Sequence, residues 1–177
     1  TCVGIELVNM GHAYQDDDGL KVLGTTGDRL DVEPWSVDQL AMCIHVGKEI
    51  VARWPHIRPE DHQGHHDLCP GHKEDVASFP FALVLRGIYD DESIRDVWTP
   101  LWTAMGRQRV LLALGADLGK WGADGSWGGQ SRKALMAFQE AHGLQVNGHW
   151  TSHVCRAVDA ALQDRGLELA EVVADPG

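Results

Sequence analysis

The stretch LLALGADLGKWGADGSWGGQSRKALMAFQEAHGLQVNGHW, Leu111 to Trp150, decides how the second half of the chain folds. Within it, Asp124-Gly125-Ser126-Trp127 and, 23 residues later, Asn147-Gly148-His149-Trp150 form a faint internal repeat. A helix-forming run follows each copy, with alanine at the same offset in both, Ala134 and Ala157. Each copy supplies a turn residue, a glycine that tolerates positive φ, and a tryptophan able to close a small core. Reading outward from these turns, helices are expected at roughly Pro100 to Leu114, Gly129 to His142 and Thr151 to Leu162, separated by glycine-rich turns. The result is a small all-helical unit starting near Val97, preceded by the acidic linker YDDESIRD, Tyr89 to Asp96.

Upstream, Ser36 has the character of a helix N-cap, with Gln39 completing a capping box, so a helix is expected from Val37 to about Trp54. Val37, Leu40, Ala41, Ile44, Gly47, Val51 and Trp54 share one face, and Pro55 ends the helix. The opening run CVGIELVNM, Cys2 to Met10, reads as a buried strand in which Glu6 is the anomaly. Between the two, His12 to Trp35 is rich in Asp and Gly and reads as turns with a short strand or hairpin.

Composition narrows the partners. At 177 residues and 44% hydrophobic content the chain has enough apolar material for a real core. Lys and Arg total 15 against 26 Asp and Glu, a net charge of −11, which disfavours nucleic acid and anionic lipid. The longest apolar stretches, Phe79 to Leu85 and Val110 to Leu114, fall far short of the roughly 20 residues a membrane helix needs, so no membrane insertion is expected. Cys2, Cys43, Cys69 and Cys155 are widely spaced and read as free thiols.

The most crowded run of polar chemistry is GHHDLCPGHKEDV, Gly64 to Val76, with three histidines, a cysteine, a lysine and three acids in thirteen residues. Its residue types suit a hydrolytic zinc, which takes nitrogen and oxygen ligands and keeps one position open. Pro70-Gly71 supplies a bend in the middle of this run. A structural zinc on His62, His65, Cys69 and His72 is the competing arrangement.

Two resemblances organise these motifs. The C-terminal unit, about Met105 to Leu162, resembles the peptidoglycan-binding domain type 1 family through Leu114-Gly115, Asp124-Gly125 with Gly128, Ala134 with Phe138-Gln139, Gly143-Leu144 and Asn147-Gly148. It departs from the family at Trp150-Thr151-Ser152, where a small glycine-containing turn is usual. This resemblance implies a three-helix module with peptidoglycan as partner. Trp127, Trp150, Asp124 and Asn147 are the candidate substrate contacts, although Trp121, Trp127 and Trp150 also suit a core.

VGIELVNMG and GHHDLCPGHKEDV resemble two segments of the zinc-dependent N-acetylmuramoyl-L-alanine amidases of the type 2 family, relatives of peptidoglycan recognition proteins. Carried over by position, the resemblance puts zinc ligands on His65 and Asp75, the catalytic acid-base on Glu6 and the oxyanion-stabilising cation on Lys73. Asp75-Val76-Ala77 departs from the family's D-P-G. The implied fold class is α+β followed by α. Residues 1–96 would be the C-terminal part of a mixed-sheet amidase domain with flanking helices plus linker, and residues 97–177 the three-helix module with its tail.

The family's first zinc ligand is a histidine on a strand before G-I-E-L, and only five residues precede Glu6. The resemblance therefore places the third ligand upstream of Thr1, in an N-terminal segment or chain that completes the domain. The implied activity is zinc-dependent peptidoglycan hydrolysis at the cell envelope, by a bacterial or a phage-encoded enzyme such as an endolysin. The alternative is a non-catalytic wall-binding or phage structural component that keeps a degenerate amidase fold.

Overall fold

The computed structural model describes residues 3–5, 7, 13–16, 19–23, 29–31, 35–68 and 79–174. In chain order the elements are β1 (Ala13–Asp16), β2 (Gly19–Leu23), β3 (Arg29–Asp31), α1 (Val37–Arg53), α2 (His65–Leu68), α3 (Phe81–Tyr89), α4 (Ala104–Ala113), α5 (Gly129–Ala141), α6 (Ser152–Gln163) and α7 (Leu169–Ala174). Single 3-10 turns lie at Pro59–Asp61, Thr99–Leu101 and Gly119–Trp121. The chain divides into two compact units, residues 1–63 with 74–96, and residues 64–73 with 97–177.

In the first unit, α1 begins as its sequence dictates: Ser36 Oγ accepts the Gln39 N–H at 3.1 Å and Gln39 Oε1 accepts the Ser36 N–H at 3.0 Å. The buried stripe of α1 is centred on Cys43 and Gly47 rather than on Val37, which is 82% exposed. Its partner is α3, and the two helices meet through reciprocal notches. A Cβ on Gly47 would lie 2.4 Å from Ile88 Cδ1, and one on Gly87 would lie 2.6 Å from Ile44 Cδ1. Each isoleucine thus occupies the space that the facing glycine leaves. Lys48 Nζ pairs with Asp90 Oδ1 at 2.7 Å where Asp90, in the left-handed region at φ 52°, ends α3. Beside this, Tyr89 donates to the Ile57 carbonyl at 3.3 Å, and its hydroxyl lies 2.8 Å from His62 Nε2.

The expected fold class needs correction here. Among the described residues there is no mixed sheet of an amidase domain; helices dominate. The sheet that is described is a small antiparallel meander of β1, β2 and β3, with Ala13 opposite Val22 and Val22 opposite Leu30. The opening run expected as a buried strand carries no strand in its described residues, and Val3 and Ile5 are 52% and 41% exposed. An apolar run becomes a buried strand only where neighbours pair with its backbone and cover its faces. Around Gly4 no atom of the described residues comes within 4 Å of where a Cβ would stand.

The second unit is a helical bundle around Leu101, Val110, Leu111, Leu135, Val154, Val158 and Leu162, all buried. Helices α4, α5 and α6 stop by one device. After α4, α5 and α6 the chain passes through Gly115, Gly143 and Gly166, at φ 88°, 64° and 71°. The residue after each glycine then donates five residues back: Ala116 to Leu111, Leu144 to Gln139 and Leu167 to Leu162. These are glycine C-caps that satisfy the last free carbonyls. Helix α4 starts at Ala104, later than its sequence suggests. Pro100 is used in a 3-10 turn, and Thr103 Oγ1 caps α4 by accepting the Gly106 N–H at 2.9 Å. The unexpected α7 is tied to α4 where Arg109 Nη1 donates to the Val173 carbonyl at 2.5 Å.

Candidate functional site

The internal repeat is built around two buried glutamines, each 1% exposed. Gln108, on α4, donates through Nε2 to Asp124 Oδ1 and the Ser126 carbonyl, both at 3.0 Å, and accepts the Gly125 N–H at 2.7 Å. Gln139, on α5, donates through Nε2 to Asn147 Oδ1 at 3.1 Å and the His149 carbonyl at 2.9 Å, and accepts the Gly148 N–H at 2.9 Å. Inside each turn the acidic or amide oxygen also accepts a backbone N–H two residues on, Ser126 to Asp124 and His149 to Asn147, at 2.9 Å in both. The two turns therefore repeat the same four hydrogen bonds, beyond which Gln108 Nε2 also donates to Ser131 Oγ at 3.0 Å and Gln139 Oε1 also accepts the Asn147 N–H at 3.1 Å. A side-chain amide offers both an accepting oxygen and a donating NH2, and each turn uses both.

Asp124 Oδ1 and Asn147 Oδ1 are accordingly engaged in shaping the turns. Hydrogen bonds from Gln108 first, and then from the Ser126 backbone, hold the Asp124 carboxyl below the usual carboxylate range.

The tryptophans that follow the turns meet edge to face, Trp127 and Trp150 at 5.8 Å between centroids and 89° between planes. Arg107 of α4 reaches both rings, its guanidinium carbon 6.0 Å from the Trp127 centroid and 5.6 Å from that of Trp150. Arg107 Nε donates to the Leu101 carbonyl at 2.7 Å. Trp150 is 7% exposed and Trp127 half-buried, whereas Trp121, expected among core candidates, is 72% exposed with Lys120 Nζ 4.4 Å from its ring centroid. A 3-10 turn of three residues ending in Gly122 at φ 59° carries Trp121 away from the core.

At the start of α6, Ser152 N–H donates to Asp67 Oδ1 at 2.6 Å and Ser152 Oγ to Asp67 Oδ2 at 2.5 Å. Trp98 Nε1 donates to the same Ser152 Oγ at 2.9 Å. Asp67 belongs to α2, which together with Gly64 is the part of the histidine-rich motif that is described. Its neighbour His65 is the first residue of α2 and is exposed. Glu6, Lys73 and Asp75 lie outside the described residues, as do Cys69 and His72. Of the four amidase-type residues, His65 is the one that lies among the described residues. Among the described residues no three His, Cys, Asp or Glu side chains converge as a metal site.

Sequence reading missed Gln108, Arg107 and Asp67. Gln139 was visible within Phe138-Gln139, and the matching glutamine could have been sought by extending the repeat into α4.

Residues 108–157 match the family model of the peptidoglycan binding domain. The matched span contains both glutamine-held turns and both tryptophans. It gives the chain a peptidoglycan-related role, with peptidoglycan as partner and the cell wall as its place of association. No curated protein and no solved structure matches the chain. Among the described residues, no helix is long and apolar enough to cross a membrane.

Proposed function

We propose that the chain acts on the cell wall, its helical unit binding peptidoglycan while the N-terminal motifs cut the amide between N-acetylmuramic acid and L-alanine. The observation that carries the binding half is the family match over residues 108–157, whose turns are fixed by buried glutamines and bear Trp127 and Trp150. Holding a catalytic unit on an insoluble substrate raises its effective concentration there.

Support for the catalytic half comes from the residue pattern of Glu6, His65, Lys73 and Asp75. His65 is exposed, and an imidazole with a carboxylate is a donor set that zinc accepts. His65 and Asp75 would hold the ion, which when bound supplies a water of lowered pKa and polarises the scissile carbonyl. Glu6 would take the water's proton and pass it to the leaving amine, and Lys73 would offset the charge growing on the carbonyl oxygen.

One observation favours a second, non-catalytic reading: Asp67, inside the histidine-rich motif, is committed to holding the first turn of α6. The two readings separate in one experiment. Purified peptidoglycan is incubated with the full chain and zinc, and retention of protein and release of L-alanine amino termini are both measured. Retention with release that disappears in Glu6→Gln supports the amidase reading. Retention without release leaves a wall-binding component, and absence of retention overturns both.

A further inference from the structure

Among the described residues, Arg107 is a cation without an acid. Its Nε donates to the Leu101 carbonyl, but its remaining guanidinium N–H groups meet no acceptor and it forms no ion pair among those residues. Lys48 and Arg58 meet their acids on exposed surface. Arg107 instead sits half-buried against two tryptophans, where losing water without gaining a carboxylate is costly. Burial presses its pKa downward, as expected for a charge kept from water. A second donor nearby is also unanswered. The indole N–H of Trp150 is buried without a hydrogen-bond partner among the described residues, the neighbouring Cys155 thiol being too weak an acceptor to satisfy it.

Leucine or methionine would pack between such rings without that penalty. A guanidinium differs from them in offering a planar fork of donors that matches a carboxylate, and it has to stay partly open to meet one. Tryptophan and arginine together are also the side chains that most often dominate binding surfaces.

We propose that Arg107, framed by Trp127 and Trp150, is a carboxylate-binding residue, and that its ligand is a free carboxylate of a peptidoglycan stem peptide. The flanking rings contact the atoms next to that carboxylate and keep water from the pair. This inference rests on the wall-binding reading and adds to it a residue and a ligand group.

The test uses the full chain and two soluble probes followed by titration calorimetry. One is a muramyl stem peptide with free carboxylates, and the other is the same peptide with every carboxylate converted to carboxamide. The acid form is expected to bind roughly ten-fold more tightly, the value of about one charge-assisted hydrogen-bonded contact. Arg107→Ala should abolish the preference, and Arg107→Lys should keep part of it. Because the acid and amide are compared on the unaltered chain, a variant that fails to fold does not decide the outcome. Equal affinity for acid and amide, while intact wall still retains the chain, overturns this inference alone. Tighter binding of a glycerol phosphate oligomer than of the acid peptide overturns the stem-peptide assignment. Failure of intact wall to retain the chain removes the wall-binding reading and this inference with it.

Discussion

Asp67 and Ser152 are joined by two short hydrogen bonds across 85 residues of sequence, one to the backbone N–H and one to the hydroxyl. A carboxylate at a helix N-terminus satisfies a free donor and complements the positive end of the helix dipole. Asp67→Ala should therefore lower the stability of the second unit by about 1–2 kcal/mol, with Asp67→Asn costing less. Urea denaturation followed by tryptophan fluorescence measures this. Equal stability of all three proteins would show that the contact contributes nothing.

The buried glutamines set up a paired prediction. Replacing Gln108 by Leu takes away the partner of the Gly125 N–H and of the Ser126 carbonyl, and Gln139→Leu takes away that of the Asn147 and Gly148 N–H groups and of the His149 carbonyl. Gln139→Leu should lose about 2–3 kcal/mol, since the buried Gly148 N–H left unanswered bears its desolvation cost in full, and Gln108→Leu should lose less, because water reaches the exposed turn around Gly125. The double variant should lose close to the sum if the turns act independently.

Glycines at similar φ should differ in cost. At Gly143, φ 64°, no atom of the described residues lies within 4 Å of the place a Cβ would occupy, so Gly143→Ala should cost only the left-handed backbone penalty of about 1–2 kcal/mol. Gly148, at φ 68°, would place its Cβ 2.7 Å from Arg132 Nε and 2.8 Å from Arg132 Cγ. Gly148→Ala should therefore be the more destabilising, unless Arg132 swings aside, in which case thermal melts of the two variants coincide.

Acid should loosen one turn before the other. The Asp124 carboxyl is held below its ordinary range by hydrogen bonds that favour its charged form, led by the one from Gln108. Its contribution is present above the unfolded-state pKa and is lost as pH falls through the lower folded value. Asn147 in the matching position does not titrate. Amide resonances of Gly125 should shift with acid while those of Gly148 hold still, and parallel shifts of both would refute the idea.

Alkali tests the core. Burial pushes the Cys155 thiol up to about 12 from an ordinary 9.0. Above the unfolded value the unfolded chain gives up a proton that the folded chain keeps, so stability falls as pH rises from about 9 towards 12. Cys155→Ala should flatten that part of the stability profile, and the native thiol should resist alkylation until the protein unfolds.

Much of the second unit was legible because its signals are local. Thr151, Gly115, Gly143 and Gly166 act within a turn or two of themselves, so caps and stops can be read from neighbours in sequence. The same holds for Ser36 and Gln39 at the start of α1. Less could be read where structure depends on distant partners. Helix α3 begins after Pro80 without a side-chain cap, so its apolar run gave no start signal. The run around Val3 and Ile5 has strand composition, but composition does not supply the neighbouring strands that would bury it. In the candidate site, Trp127 and Trp150 were found from the repeat, whereas Arg107 lies outside it and Asp67 reaches its partner only through the tertiary fold.

The glutamine-held turns have a consequence for how the wall is met. Because Gln108 and Gln139 grip backbone groups, the path of each loop does not depend on which side chain occupies positions 126 and 149, serine in one and histidine in the other. Tip residues can be exchanged without reshaping the surface that carries them. A loop already fixed in place also gives up little freedom when a ligand arrives, so more of each contact is kept as affinity.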